Sequence, residues 1–62
     1  MNSQNRVFCL IAYDIAENRR RLKVSKVLES CTNRVQESVF EGYLTHAELG
    51  KLLKKVEKIL EK

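Results

Sequence analysis

The segment Arg6–Tyr13, with the sequence RVFCLIAY, constrains the fold more than any other part of the chain because it is apolar on both of its alternating faces. In an extended segment, Val7 and Cys9 project to one side, and Phe8 and Leu10 project to the other. Strands with this pattern usually lie where both faces of a sheet are covered. We therefore expect Arg6–Tyr13 to be a strand that needs packing partners on both sides.

The size of the chain allows a single domain. A chain of 62 residues buries only about 60% of the surface that its unfolded form exposes, so we expect one domain over residues 1–62. Its composition, 44% apolar and 32% charged, is typical of a folded globular protein, and no run reaches the roughly 18 apolar residues that cross a bilayer. Residues 1–5 lack the basic start of a signal peptide. We therefore expect a soluble, cytoplasmic protein with no membrane partner.

The second element is predicted to be an amphipathic helix from about Glu17 to Cys31. Apolar residues recur there at the i, i+3, i+4 and i+7 spacing of one buried helical stripe. The stripe consists of Val24, Val27, Leu28 and Cys31. Leu22 lies off this stripe, so we expect its side chain to be exposed.

The two cysteines, Cys9 and Cys31, are far apart in the sequence, and neither belongs to a Cys-x-x-Cys pair. This spacing argues against a zinc site and against a disulfide framework. We expect both side chains to be small buried hydrophobic groups.

The C-terminal half of the chain predicts a hairpin and a second helix. Arg34–Phe40 is rich in β-branched and aromatic residues and is predicted to be a strand, with a turn or bulge at Gly42 before Tyr43. Thr45 and Glu48 have the Thr-x-x-Glu spacing of a capping box, which predicts a helix that starts there and continues to the chain end. The element order is then βαββα.

This order is that of an α+β, ferredoxin-like fold that lacks its final strand. In that fold the first strand lies inside the sheet, between the third strand and the fourth. Without the fourth strand it has an open edge, which is a site for pairing with another chain. We therefore expect either that a partner chain covers this edge or that the chain is a C-terminally truncated fragment.

One carboxylate and a concentrated positive charge meet where the first strand leads into the helix. Asp14 is the only aspartate of the chain, and it is followed by Arg19, Arg20, Arg21 and Lys23. The formal net charge of +4 favours polyanionic partners. Magnesium often takes one or two protein carboxylates together with a substrate phosphate. We interpret this junction as a metal-dependent phosphodiester site, in which a dimer would supply a second copy of Asp14.

Structural alternatives stay open for each of these residues. Asp14 also suits the N-cap or a turn before the helix, and the basic residues suit a solvated helix face. Arg34 could pair with Glu37 or Glu41 rather than contact a phosphate. Ser38 has no base near it in the sequence and is a poor candidate for a nucleophile.

Several ordered segments resemble the CRISPR-associated protein 2 family, the small subunit of the spacer-acquisition machinery. The segments are Ala12–Ile15, the basic run Arg19–Val24 with Leu28 and Glu29, and Arg34–Thr45 (RVQESVFEGYLT) with Glu48 and Leu49. They occur in the family's order and span nearly the whole chain. On these motifs the chain is identified as a member of this family.

The resemblance implies a ferredoxin-like homodimer whose two Asp14 residues face each other, with endonuclease activity that depends on Mg²⁺ or Mn²⁺ and acts on RNA or double-stranded DNA. It also implies a second role, in which the dimer bridges subunits of the CRISPR-associated integrase and binds the DNA to be inserted. Asp14 would be the catalytic metal ligand. The residues expected, by motif and by charge, to contact or line the path of nucleic acid are Arg19, Arg20, Arg21, Lys23, Arg34, Ser38 and Phe40.

Two departures from the family pattern concern the site and the length of the chain. Many relatives place further aspartates after the Tyr-Asp-Ile segment, where this chain has Ala16, Glu17 and Asn18. Relatives are also usually longer, with a fourth strand and a C-terminal segment. The functional hypotheses are a metal-dependent endonuclease acting through Asp14, a non-catalytic DNA-binding scaffold of an integration complex, and a ribonuclease toxin of the related virulence-associated group.

Overall fold

The computed structural model describes residues 5–61, which form three strands and two helices. The elements are β1 (Arg6–Ala12), α1 (Asn18–Glu29), β2 (Asn33–Gln36), β3 (Val39–Thr45) and α2 (His46–Leu60). This arrangement confirms the predicted βαββα order and the α+β class. Residues 1–4, which belong to the N-terminal segment predicted to lack the basic start of a signal peptide, lie outside the described residues, as does Lys62.

The three strands form one antiparallel sheet in the order β1-β3-β2. Strand β3 is therefore central, and within residues 5–61 β1 is paired on one side only. This is the open edge predicted for a ferredoxin-like fold that lacks its last strand. The backbone N–H and C=O groups along that edge are able to pair with a further strand.

The register of β1 against β3 decides which side chains face the helices. Ile11 lies opposite Phe40 on the inner face, which α1 and α2 cover. Phe8 lies opposite Tyr43 on the outer face, where their side chains are 54% and 64% exposed and their ring centroids are 5.5 Å apart. Leu10, also on the outer face, is exposed. The expectation that β1 is covered on both sides is therefore wrong for the described residues, because both helices pack on one face.

The core lies between the inner face of the sheet and the two helices. The largest side chains that are fully buried in it are Val24, Leu28 and Phe40. The predicted stripe of α1 is confirmed for Val24 and Leu28, and Leu22 is 56% exposed, as expected. Neither helix of the described residues is long and apolar enough to span a membrane.

The two cysteines differ in their surroundings. Cys9 is buried in the core, as predicted, whereas Cys31 is exposed. The prediction for Cys31 is wrong because α1 ends at Glu29. The i+7 position of the apolar stripe therefore falls in the turn after the helix, where the helical spacing no longer directs a side chain into the core.

The hairpin turns earlier than the sequence predicts. The turn lies at Glu37 and Ser38, between β2 and β3, whereas Gly42 lies inside β3. The predicted turn or bulge at Gly42 is therefore wrong, and the irregular pairing falls within β2 instead. Gly42 serves a close approach, since a Cβ atom built on it would lie 3.2 to 3.3 Å from atoms of Thr32.

The capping box at the start of α2 is confirmed. Thr45 Oγ1 accepts a hydrogen bond from the Glu48 amide at 3.1 Å, and Glu48 Oε1 accepts one from the Thr45 amide at 2.8 Å. Arg6 of β1 donates to the same carboxylate oxygen at 3.0 Å. The hydrogen bond from the Thr45 amide is the main cause of the lowered pKa of Glu48, and the charge of Arg6 adds to it. These contacts tie the start of α2 to the sheet.

An apolar cavity of about 380 Å³ lies beneath the open edge of β1. Its walls come from the end of β1, from residues 13–15 that follow it and from both helices. The apolar members of the walls include Ile11, Ile15, Leu28, Leu53, Val56 and Leu60. Leu53 and Leu60 are exposed, although they belong to the apolar side of α2. The three-stranded sheet therefore leaves part of the apolar surface of α2 uncovered within the described residues.

The core assignment predicts different costs for two leucines of α1. Leu28→Ala should destabilise the fold by about 2–5 kcal/mol, because it removes a fully packed side chain and leaves a cavity. Leu22→Ala is the matched control on the same helix, and its exposed side chain predicts a change within about 0.5 kcal/mol. Urea unfolding followed by circular dichroism measures both changes. Equal unfolding midpoints for the two variants would contradict this assignment of the core.

Candidate functional site

Asp14 lies in a cleft between the segment that follows β1 and the β2–β3 turn. The Tyr13 amide donates a hydrogen bond to the Ser38 carbonyl at 3.1 Å, which holds the two segments side by side. The cleft measures about 360 Å³ and is lined by residues 13–16 on one side and by Arg21, Glu37 and Ser38 on the others. We call it the Asp14 cleft. The structure thus brings together three predicted site residues, Asp14, Arg21 and Ser38.

Asp14 does not cap helix α1. The N-cap residue is Glu17, whose carboxylate accepts a hydrogen bond from the Arg20 amide at 2.9 Å. This hydrogen bond is the main cause of the lowered pKa of Glu17. The capping alternative for Asp14 is therefore wrong, and Asp14 is exposed at the surface of the cleft.

Arg21 holds the loop that carries Asp14. Its Nη1 atom donates to the carbonyl oxygens of Ile15 and Ala16 at 3.1 and 3.2 Å, and its Nη2 atom donates to Asn18 Oδ1. The loop therefore occupies several of the five N–H donors of the guanidinium group. Arg21 positions the loop, and its contact with a phosphate stays a prediction.

Arg34 is also engaged within the chain. Its Nε and Nη2 atoms donate to Glu29 Oε2 at 3.2 and 2.6 Å, Nη2 donates to Ser25 Oγ at 2.5 Å, and Nη1 donates to the Glu37 carbonyl at 2.8 Å. The hydrogen bond with Glu29 is the main cause of the raised pKa of Arg34. Arg34 therefore forms an ion pair, but the predicted partners, Glu37 and Glu41, are wrong: among the described residues the carboxylate that it binds is that of Glu29, and Glu37 accepts only through its backbone carbonyl. Through the Glu37 carbonyl, Arg34 also fixes the turn that forms one wall of the Asp14 cleft.

Phe40 lies beneath the site and supports it from the core. Its side chain is 0% exposed, and its ring stacks against Tyr13 with centroids 6.1 Å apart, while the Arg34 guanidinium lies 5.0 Å from its centroid. The prediction that Phe40 lines a path for nucleic acid is wrong in this structure, because no surface of the side chain is exposed. The Tyr13 hydroxyl above the core is buried and has no hydrogen-bond partner among residues 5–61.

The remaining basic residues lie on a different side of α1. Arg19, Arg20 and Lys23 line a depression of about 710 Å³ between the start of α1 and the end of α2, where Lys58 joins them. We call it the basic groove. At 3.6 residues per turn, positions 19 and 23 lie about 40° apart around the helix, and position 21 lies on the opposite side. The basic run that follows Asp14 in the sequence is therefore divided between two surfaces.

The Asp14 cleft suits an open magnesium or manganese site. Within the described residues, no three His, Cys, Asp or Glu side chains are grouped so as to hold a metal ion. Asp14 and Glu37 are the carboxylates that line the cleft, beside Ser38. Because Mg²⁺ keeps several waters and often takes only one or two protein carboxylates, these residues fit an ion that Asp14 would hold in part. Water and substrate phosphate would supply the other ligands.

Two residues of these surfaces, Glu37 and Lys58, were not predicted to be site residues. Glu37 entered the sequence prediction only as a partner for Arg34, because a strand extended to Phe40 would place it inside β2. The run of three polar residues, Gln36–Ser38, between Val35 and Val39 was the available signal, since serine favours turns. Lys58 gave no separate signal, because only the packing of α2 against α1 brings it near Arg19.

Comparison with known proteins identifies similar chains. A family model described as "CRISPR associated protein Cas2" matches residues 7–62. A Mycobacterium tuberculosis protein named CRISPR-associated endoribonuclease Cas2 is 43% identical over 53 residues, which cover 86% of this chain and 47% of that protein. A Synechocystis protein named CRISPR-associated endoribonuclease Cas2 3 is 44% identical over 52 residues, which cover 84% of this chain and 56% of that protein.

A third relative carries a broader name. The Thermus thermophilus protein named CRISPR-associated endonuclease Cas2 2 is 41% identical over 51 residues, which cover 82% of this chain and 57% of that protein. The chain therefore spans about half the length of the curated relatives that it matches. The identity is high enough to show the family, while the activity named for these relatives belongs to longer proteins.

The contacts of Arg34 predict that it stabilises the fold. Arg34→Lys should lower the urea midpoint of unfolding, because an ammonium group cannot reproduce the fork of hydrogen bonds to Glu29, Ser25 and the Glu37 carbonyl. Arg19→Lys is the matched control, since Arg19 is exposed on α1, and its midpoint should match that of the original chain. If both variants unfold at the same urea concentration as the original chain, Arg34 does not have this stabilising role.

Proposed function

The chain belongs to the CRISPR-associated Cas2 family, and on this basis we propose that it is a metal-dependent endonuclease of CRISPR adaptation that cleaves phosphodiester bonds of RNA or double-stranded DNA. The observation that carries the proposal is the position of Asp14. Glu17, and not Asp14, caps helix α1. The Asp14 carboxylate is therefore not used in capping, and it lies in a cleft with Arg21 and Ser38. The names of the relatives, endoribonuclease and endonuclease, support a nuclease.

In this proposal the residues of the Asp14 cleft have separate tasks. Asp14 would hold Mg²⁺ or Mn²⁺ in part, and the bound ion would supply charge stabilisation at the scissile phosphate. Arg21 fixes the loop through the Ile15 and Ala16 carbonyls and adds a positive charge to the cleft wall. Ser38 offers a hydroxyl that can donate to a phosphate oxygen. The cleft thus combines a carboxylate for the ion with a cation and a hydroxyl for the phosphate.

Asp14→Asn tests the role of the carboxylate in cleavage. The substitution keeps the size of the side chain and removes its charge, so cleavage of labelled RNA and duplex DNA in magnesium should fall by at least about 100-fold. Nucleic-acid binding measured in EDTA should be retained. Glu57→Gln is the matched control, because it removes an exposed carboxylate from α2 and should leave cleavage intact. Undiminished cleavage by Asp14→Asn would rule out the proposed site.

A non-catalytic scaffold is the second candidate function. It is favoured by the Asp14 cleft, where residues 5–61 place only two carboxylates, and by the basic groove, which lies apart from that cleft. In this role the chain would bind the DNA to be inserted and bridge subunits of the CRISPR-associated integrase. Spacer acquisition that persists in cells carrying Asp14→Asn would favour the scaffold.

We also propose that the chain forms a homodimer through the outer face of its sheet. That face exposes Phe8, Leu10 and Tyr43, and adjacent apolar side chains of this size on a soluble protein mark interaction sites. A two-fold axis would place the same patch of each copy against the other. The dimer would also bring a second Asp14 to the assembly. The open edge of β1 is the other surface that a partner chain would cover.

Leu10→Gln tests the dimer interface. The change places a polar side chain in the outer face, so it should shift the chain toward monomer in sedimentation velocity. Leu22→Gln is the matched control, because Leu22 is similarly exposed, at 56% against 64% for Leu10, but lies on helix α1. A monomeric original chain at all concentrations, or equal dimer fractions for the two variants, would exclude this interface.

A further inference from the structure

We propose that Glu29, the last residue of α1, is a positioning residue for the Asp14 cleft and acts on it through Arg34. The inference rests on the proposed function, because it concerns how the same cleft is held in shape. Glu29 does not line the cleft. Within residues 5–61, the hydrogen bonds of its carboxylate come from Arg34. Its effect on an ion or a phosphate in the cleft would therefore be indirect.

Glu29 and the β2–β3 turn bind different nitrogens of one guanidinium group. Glu29 Oε2 accepts from Arg34 Nε at 3.2 Å and from Nη2 at 2.6 Å. Nη1 of the same group donates to the Glu37 carbonyl at 2.8 Å. Because the guanidinium group is planar and rigid, fixing Nε and Nη2 also fixes the direction in which Nη1 donates. Glu29 therefore determines whether Nη1 points at the turn.

The β2–β3 turn has two residues, and each accepts a hydrogen bond through its carbonyl oxygen. Arg34 donates to the Glu37 carbonyl, and the Tyr13 amide donates to the Ser38 carbonyl at 3.1 Å. Glu37 and Ser38 both line the Asp14 cleft. If Arg34 released Glu37, these contacts would hold the turn at one residue instead of two. The distance between this wall and Asp14 would then no longer be fixed.

The charge and the exposure of the Glu29–Arg34 pair favour a role in positioning over a role in stability. Among the described residues, Glu29 is the charged acceptor of Arg34, whereas Ser25 Oγ and the Glu37 carbonyl are neutral. Hydrogen bonds between two ionised groups are the stronger ones. The side chains of Arg34 and Glu29 are 40% and 48% exposed, and ion pairs this exposed add little to the free energy of unfolding. Removing the charge of Glu29 should therefore loosen Arg34 without unfolding the chain.

Glu29→Gln tests this inference, because it keeps the size of the side chain and removes its charge. The first measurement is the nuclear magnetic resonance spectrum of the isotope-labelled chain without metal or nucleic acid. The Ser38 amide belongs to the same peptide group as the Glu37 carbonyl, so a weaker hydrogen bond from Arg34 should shift the Ser38 signal. Glu57→Gln is the matched control, since Glu57 is exposed on α2, and it should leave that signal in place.

The second measurement is the dependence of RNA and duplex DNA cleavage on the concentration of Mn²⁺. Glu29→Gln should raise the Mn²⁺ concentration that gives half-maximal cleavage by about tenfold, as expected for a residue that orients a metal site from outside it. Arg34→Lys should give a similar change, and the double variant should add nothing further, because the two residues act in series. A loss of stability alone would lower the urea midpoint and leave this concentration unchanged.

The possible results separate this inference from the proposed function. An unshifted Ser38 amide in Glu29→Gln would overturn the inference. An unchanged Mn²⁺ dependence of cleavage would also overturn it, as would fully additive effects of Glu29→Gln and Arg34→Lys. If the original chain cleaves neither RNA nor DNA at any Mn²⁺ concentration, the proposed endonuclease fails, and the Ser38 signal still decides whether Glu29 positions the turn.

Discussion

The antiparallel pairing of β1 with β3 is the constraint on which the rest of the structure depends. Its register places Ile11 opposite Phe40 on the covered face and Phe8 opposite Tyr43 on the exposed face. A slip of one residue would exchange the two faces of β1, so that Phe8 and Leu10 would face the helices in place of Cys9 and Ile11. The hydrogen bond from the Tyr13 amide to the β2–β3 turn continues the same alignment beyond β1. The core and the Asp14 cleft therefore follow from one pairing.

Local signals in the sequence predict which strands and helices form and in what order. They do not predict the residue at which each strand or helix ends. The Thr45 capping box and the α1 stripe depend on residues within one or two turns, so the element order and the buried Leu28 could be predicted. The position of the hairpin turn and the exposure of Cys31 could not, because they depend on how far each element extends. Packing decides that extent, as the close approach of Thr32 to Gly42 shows.

The candidate site is only partly readable from the sequence for the same reason. Asp14 is prominent because it is the only aspartate of the sequence and follows an apolar strand, and the resemblance to the Cas2 family marks the same residue. The spacing of the basic run suggests one surface, whereas the rotation of α1 divides it between the cleft and the groove. The partners of Arg34 come from α1 and from the turn, so only the folded chain shows that its guanidinium is already engaged.

The central claim is that a metal ion and a phosphodiester meet at Asp14. The most direct test is a titration of the isotope-labelled chain with Mn²⁺ in the presence of a short oligonucleotide. Nuclear magnetic resonance spectra record which amide signals of the chain broaden as Mn²⁺ is added. We predict selective broadening at residues 13–16 and at Glu37 and Ser38, and its loss in Asp14→Asn. Broadening centred on another part of the chain, or an unchanged pattern in Asp14→Asn, would contradict the claim.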